Sequence, residues 1–216
     1  MLEIRSLVFN ALQENTYILY DETKACVIID PGCYDAYEKE ELTELISYHE
    51  LVVKAVLNTH GHIDHVLGNS FVRDTYNVKL YIHAIDEPVL RAVKVYAGNY
   101  GFPQYHEALP DGYLQEGDVF RFGNQKLNVL FVPGHSPGHI AFYHEEAKVV
   151  IGGDVLFRNS IGRTDLPGGN FDTLIQSIHQ KLFTLPDDVT VYPGHGPETT
   201  IGYEKRTNPF CALTHH

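Results

Sequence analysis

The sequence predicts an α/β protein, and three observations carry that prediction. Short runs rich in Val, Ile and Leu, each of strand length, recur through the 216 residues. Between them lie stretches with apolar residues three and four apart, the spacing of a half-buried helix. Several apolar runs end in Gly or Pro and then in His or Asp, so side chains with donor atoms gather at strand ends.

Leu2 to Phe9, Thr16 to Tyr20 and Ala25 to Ile29 read as strands. Asp35 to His49 reads as a helix, because Leu42, Leu45 and Ile46 fall on one face. A strand ending at Asn58 follows, then a helix through Phe71 to Tyr76, a strand Lys79 to Ile82 and a helical stretch Asp86 to Tyr96. Gly98 to Tyr113 is rich in Gly, Pro and Tyr and reads as an extended loop flanking a site. The second half opens with strands at Asp118 to Phe122 and Lys126 to Val132, and continues through Ile140 to Tyr143 and Lys148 to Ile151. Phe171 to Phe183 reads as a helix with Leu174, Ile175, Ile178 and Leu182 on one face; a strand Val189 to Tyr192 and a short closing helix complete the chain. No low-complexity linker divides it, which predicts a single domain over residues 1–216.

Thr59-His60-Gly61-His62-Ile63-Asp64-His65 leaves the apolar strand Ala55 to Asn58 and gathers three imidazoles and one carboxylate. Such donors suit zinc, iron or manganese. Period-two geometry places His60 and His62 on one side of an extended turn, where they can chelate one ion. Asp64 and His65 come after the turn, point elsewhere and can serve a second ion. A lone histidine in a loop is ordinarily solvated or packed, but a cluster this dense is rarely structural.

Three later strand ends add candidates. Leu127 to Val132 runs into Pro133-Gly134-His135-Ser136-Pro137-Gly138-His139. Lys148 to Ile151 runs into Gly152-Gly153-Asp154, and Val189 to Tyr192 into Pro193-Gly194-His195-Gly196. Glycine lets the backbone turn tightly and swing the next side chain toward a shared point. Both halves donate candidates, so a shared site is expected between them.

In this order, THGHIDH, PGHSPGH, GGD and PGHG resemble the metallo-β-lactamase superfamily, and within it the glyoxalase II group of hydroxyacylglutathione hydrolases. The resemblance runs from Asn15-Thr16-Tyr17 and Ile29-Asp30-Pro31-Gly32 to Asn208-Pro209-Phe210. It implies a four-layer αββα sandwich and two divalent metal ions, zinc first, with iron or manganese as alternatives. His60, His62 and His135 would hold one ion; Asp64, His65 and His195 the other; Asp154 would bridge them. Asp64 would also orient the nucleophilic water. The resemblance puts His139 outside the ligand set and makes Asp30 an acceptor of hydrogen bonds from the HxHxDH loop.

The implied reaction is hydrolysis of a small-molecule thioester. Two ions about 3.5 Å apart lower the pKa of a shared water and stabilise charge on the carbonyl oxygen. A thiolate of ordinary pKa, about 8.5, leaves without a strong acid. Ser136 is followed by Pro137 and reads as a loop residue, not a nucleophile. β-Lactamases of this fold use cysteine where this chain has Asp154, flavodiiron proteins carry glutamate where His62 stands, and RNA-processing relatives carry a large inserted domain; all three are disfavoured. The chain resembles the short relatives that lack the helical domain by which glyoxalase II grips glutathione, so weak discrimination among thiols is expected. Gly162-Arg163-Thr164-Asp165 resembles a stretch of persulfide dioxygenases, which use one iron; that is the alternative activity. The plainer role for Arg163 and Asp165 is an ion pair pinning a loop. A non-catalytic metal-binding module is the third reading.

Net charge is −12, which argues against a nucleic-acid backbone or an anionic membrane as partner. No apolar run reaches the length of a membrane span, and no basic region precedes an apolar stretch at the N-terminus. Three scattered cysteines, Cys26, Cys33 and Cys211, fit a reduced compartment, so a cytoplasmic protein is expected. Cys26 reads as core and Cys33 as a loop position. His215 and His216 are set aside from the metal count.

Overall fold

The structure is a computed structural model and describes residues 1–213; His215 and His216 lie outside the described residues. The chain forms two compact units, Met1–Leu114 with Arg121–Lys126, and Gln115–Phe120 with the chain from Leu127 onward.

The first unit is built on six strands in chain order, β1 (Glu3–Phe9), β2 (Glu14–Tyr20), β3 (Ala25–Ile29), β4 (Val52–Leu57), β5 (Lys79–Ile82) and β6 (Gly112–Tyr113). The pairs β1–β2 and β2–β3 are antiparallel, and β3 through β6 run parallel. Parallel neighbours need a crossover. Between β3 and β4 it is α1 (Ala36–Tyr48), which starts at a capping box of Asp35 and Glu38. On its predicted face Leu42 and Ile46 are buried and Leu45 half-buried. Each full burial contributes about 1.5–3 kcal/mol. β3 is apolar throughout and buried throughout, as expected of a strand covered on both faces. β2 is equally buried yet opens with Glu14-Asn15-Thr16, and those polar residues stand beside the end of β3.

After β4 come α2 (Ile63–Val66), α3 (Asn69–Tyr76) and, past β5, α4 (Glu87–Tyr96). α2 and α4 share a cluster of Ile63, Val66, Leu67, Leu90, Val93 and Phe102. The Gly98–Tyr113 loop is pinned by this packing. Phe102 stands edge-on to Tyr34 at 5.0 Å, and the Tyr34 hydroxyl accepts the Gln104 N–H at 2.8 Å. Buried Asp21 accepts hydrogen bonds from Thr23, Asn124 and Gln125.

The second sheet contains β7 (Val119–Phe122), β8 (Gln125–Phe131), β9 (Ile140–His144) and β10 (Val149–Gly153). A separate hairpin follows, β11 (Leu156–Phe157) and β12 (Ser160–Ile161), and then α5 (Phe171–Ser177), β13 (Thr190–Pro193), β14 (Thr199–Thr200) and α6 (Ile201–Thr207). The sheet order is β14-β13-β10-β9-β8-β7, with β10 and β13 parallel. The helix expected over Phe171 to Phe183 is α-helical only to Ser177. From Ile178 to Leu182 it widens into a π turn, closed by the Phe183 N–H on the Ile178 carbonyl at 2.8 Å. The wider turn keeps both Ile178 and Leu182 fully buried, which explains why periodicity read the segment as one helix. Glu204 of α6 is also fully buried. It accepts hydrogen bonds from the Asn159 N–H at 3.1 Å, the Asn208 amide at 2.7 Å and the Thr199 hydroxyl, tying α6 to the β11–β12 turn.

Candidate metal centre

In the first unit the donors sit at the C-terminal end of β4. Asn58 closes the strand with a reciprocal amide pair to Asn69 at the start of α3, at 3.2 and 2.7 Å, and donates to the His65 carbonyl at 3.2 Å. The loop from His60 to His65 is thereby held at both ends. The ring of His60 lies 4.8 Å from that of His62 and 4.2 Å from that of His65. The expectation that the two pairs point apart is corrected here, because α2 begins at Ile63 and its first turn brings His65 back beside His60.

Asp30 organises this half. It occupies the left-handed region at φ 50°, where a short polar side chain is tolerated. Its Oδ1 accepts the Thr59 N–H at 2.7 Å; its Oδ2 accepts the Thr59 hydroxyl at 2.5 Å and faces His65 Nδ1 at 3.1 Å. His60 Nδ1 lies 3.0 Å from the same hydroxyl. The Thr59 proton goes to Asp30, so Thr59 Oγ1 accepts from His60 Nδ1. One carboxylate thus fixes both rings with Nδ1 protonated and Nε2 as the lone-pair nitrogen, the usual arrangement behind a metal-bound imidazole. The expected role of Asp30 as an acceptor from this loop matches its contacts.

Behind it lies Glu14, which the sequence reading missed. It is fully buried, and burial holds its carboxyl well above the usual range. The Thr16 hydroxyl stands between Glu14 and Asp30. That hydroxyl accepts the Gly32 N–H at 2.9 Å and lies 2.9 Å from the Asp30 carbonyl and 2.8 Å from Glu14 Oε2. Tyr96 also borders this half, its hydroxyl pushed up to about 12 by burial, with Asp64 adding to the shift.

In the second unit His135, Asp154 and His195 come together. Gly134 takes φ 134°, and a Cβ there would meet the Leu174 backbone N at 2.3 Å, so only glycine lets α5 lie against this turn. The His135 Nδ1 donates to the Arg163 carbonyl at 2.7 Å. A carbonyl has no proton to give, so Nε2 is again the lone-pair nitrogen. The Gly194 N–H donates to the Gly153 carbonyl at 2.9 Å, which sets the ends of β13 and β10 side by side. The ring of Phe157 packs edge-on to His195 at 6.3 Å. His139 is fully buried, and its Nε2 accepts the Asp154 backbone N–H at 3.0 Å. That nitrogen is already used on the backbone, in line with a place outside the ligand set. Arg163 and Asp165 form an exposed two-pronged ion pair, at 2.7 and 2.8 Å, which supports the loop-pinning role.

The donor atoms have the spacing of ligands. Bonds of about 2.1 Å meeting at a tetrahedral angle put two donors about 3.4 Å apart. His65 Nε2 lies 3.6 Å from Asp64 Oδ2 in the first unit. In the second, Asp154 Oδ2 lies 3.4 Å from His135 Nε2 and 3.6 Å from His195 Nε2. These separations are too long for good hydrogen bonds and right for a shared cation. The residues present fit divalent ions.

Comparison with known proteins agrees. A family model described as the metallo-β-lactamase superfamily matches residues 9–195, and the chain belongs to that superfamily. It has the superfamily's α/β fold and is a metallohydrolase of that class. Hydroxyacylglutathione hydrolase GloC of Haemophilus influenzae is 39% identical over 211 residues, covering 97% of this chain and 98% of that protein. A crystal structure described as BLEG-1 B3 metallo-β-lactamase superposes with a TM-score of 0.88 at 36% identity, covering 97% of this chain and 99% of that one. TTHA1623 in a di-iron-bound form superposes with a TM-score of 0.83 at 39% identity, covering 95% and 99%.

Proposed function

We propose that this protein is a dinuclear metal-dependent thioesterase acting on esters of the hydroxyacylglutathione type. The observation that carries the reading is the set of His Nε2 and Asp Oδ2 pairs at ligand spacing in each unit, with the Nδ1 atoms of His60, His65 and His135 already committed to acceptors. Likeness to GloC supports the substrate class. The match of one family model to residues 9–195 supports a single functional domain over 1–216. In this reading His60, His62 and His135 would hold one ion and Asp64, His65 and His195 the other, with Asp154 shared between them.

When bound, the two ions supply hydroxide near neutral pH and polarise the substrate carbonyl. The chain's own residues do the rest. Asp64 orients the attacking water through its carboxylate. Asp30 and the Arg163 carbonyl keep imidazole lone pairs aimed inward. His139 holds the backbone of Asp154 in place. Zinc is the first expectation for the metal, and the di-iron form of TTHA1623 supports iron as the alternative.

The substrate is a small molecule, without nucleic acid or membrane, in keeping with a net charge of −12; among the described residues no helix is long and apolar enough to cross a membrane. We place the protein in the cytoplasm on the basis of its three free cysteines. The acidic balance offers little grip for the two carboxylates of glutathione. S-Lactoylglutathione should therefore outperform the lactoyl ester of a small thiol by less than about tenfold in kcat/KM, which is about 1.4 kcal/mol. The test measures both esters alongside metal content, oxygen uptake with a persulfide and hydrolysis of a β-lactam. Two ions per chain with thioester turnover is the expected result. One iron with oxygen uptake would move the assignment to the persulfide dioxygenase expected from Gly162 to Asp165, and preferred β-lactam turnover would move it to the activity named for BLEG-1.

A further inference from the structure

We propose that Asp86 is a positioning residue for the first ion, acting on the peptide between its two histidines. The inference rests on the metallohydrolase reading and adds a residue outside the ligand set. Gly61 stands between His60 and His62, and its N–H donates to Asp86 Oδ2 at 2.5 Å. Asp86 is fully buried. A bond this short from a peptide N–H to a carboxyl oxygen is a strong hydrogen bond, and here it fixes the plane from which both imidazoles depart.

Asp86 is placed where a carboxylate usually caps a helix, directly before α4, yet its side chain makes no capping bond there. The turn that carries it is braced by other means. The Asp86 N–H donates to the His83 carbonyl at 2.9 Å, and His83 Nδ1 accepts the Ile85 N–H at 3.2 Å. The Asp86 carboxylate reaches instead to a loop 25 residues earlier in the chain. A second observation agrees. A Cβ on Gly61 would meet the Leu90 backbone N at 2.6 Å, so the first turn of α4 is pressed against the HxH peptide. Leu90 then packs with Ile63 and Val66 of α2. The position of α4 sets the position of Gly61, and Asp86 is the polar contact that transmits it.

The experiment compares the full-length wild type with Asp86→Asn, Asp86→Ala and a pure packing control, Leu90→Ala. The first readout needs no metal. Only Gly61 and Gly196 follow a histidine, so carbonyl-13C histidine with 15N glycine isolates their two amide signals. The Gly61 amide should lie far downfield in the wild type with chelator present, and move upfield in Asp86→Asn. The second readout is competition for zinc against a chromophoric chelator. Asp86→Ala should weaken the His60–His62 ion by about 10–100-fold, the range for an outer partner of a ligand, and leave the other ion largely unchanged. Asp86→Asn should recover part of that loss. Leu90→Ala should lower stability and affect both ions alike. An unmoved Gly61 signal in Asp86→Asn, or equal weakening of both ions in Asp86→Ala, would overturn the proposal. If Asp86→Ala does not fold, Asp86→Asn decides on both readouts. A wild type that binds no ion would instead sink the metallohydrolase reading, and this proposal with it.

Discussion

Replacing Asp30 by alanine removes the acceptor on which the first half of the centre converges. The Thr59 N–H at 2.7 Å and His65 Nδ1 at 3.1 Å lose their partner inside the protein, while the Thr59 hydroxyl can rotate. Two stranded buried donors cost about 1–3 kcal/mol each. Alanine at φ 50° adds about 1 kcal/mol of backbone strain that aspartate tolerates better. The expected loss is about 5 kcal/mol, or about 10–20 °C in Tm for a chain of this size. Thermal unfolding should be run with chelator, since bound metal would raise Tm by mass action. Zinc competition on the same samples should show a 10–100-fold loss at each ion that depends on His60 or His65. Asp30→Asn separates orientation from packing. It keeps the volume and one oxygen, but whichever way its amide lies, one of the present donors meets an NH2 group. An Asp30→Asn protein that melts within a degree or two of the wild type and holds zinc as tightly would refute the idea that one carboxylate orients both rings.

Further outcomes follow from the same contacts. His135→Ala should lose first-site metal and nearly all activity, whereas His139→Ala should keep its metal and lose at most about 10–100-fold in activity; metal analysis with kinetics distinguishes them. Asp154→Ala should lose both ions or hold one loosely, checked by metal content after desalting. Burial raises the Asp21 carboxyl, but hydrogen bonds from Thr23, Gln125 and Asn124 outweigh it and bring it down to about 2. Its folded pKa is depressed, so its stabilisation is present above the unfolded value of about 4 and is lost as pH falls toward 2. Urea unfolding should therefore find a clear deficit for Asp21→Asn at pH 7 that narrows below pH 4. Glu204→Ala strands the Asn159 and Asn208 donors and should cost about 2–4 kcal/mol in urea unfolding.

Strands made of Val and Ile were legible because a buried parallel strand is an uninterrupted apolar run, as in Cys26 to Ile29 and Val149 to Ile151. The donors were legible because four strand ends carry His or Asp beside turn residues. Asp30 was legible only through family resemblance, since nothing local marks a carboxylate that reaches Thr59 and His65. Glu14, Asp86 and Glu204 were missed for a related reason. Each is an acid buried by the tertiary fold, and Asp86 and Glu204 also reach across it, 25 residues to Gly61 and 45 to Asn159, where sequence pattern reports only near neighbours. The strands β6, β11, β12 and β14 hold two residues each, too few for any period to register. The direction of His65 was misjudged because the four-residue helix α2 is too short to announce itself, yet one turn suffices to carry a side chain back.

The grip of Glu204 on the β11–β12 turn has a consequence for the order of events during synthesis. The hairpin that follows Asp154 and sets Phe157 against His195 is finished by a carboxylate translated 45 residues after Asn159. The Asp30 network draws only on residues between Glu14 and Asn69, so its partners have all left the ribosome long before Glu204 is made. In a nascent chain every partner of the Asp30 network is thus available before the acid that ties the β11–β12 turn to the last helix. Ribosome-bound chains arrested before and after Glu204 would differ most in protease sensitivity at Arg158, an exposed basic residue of that turn.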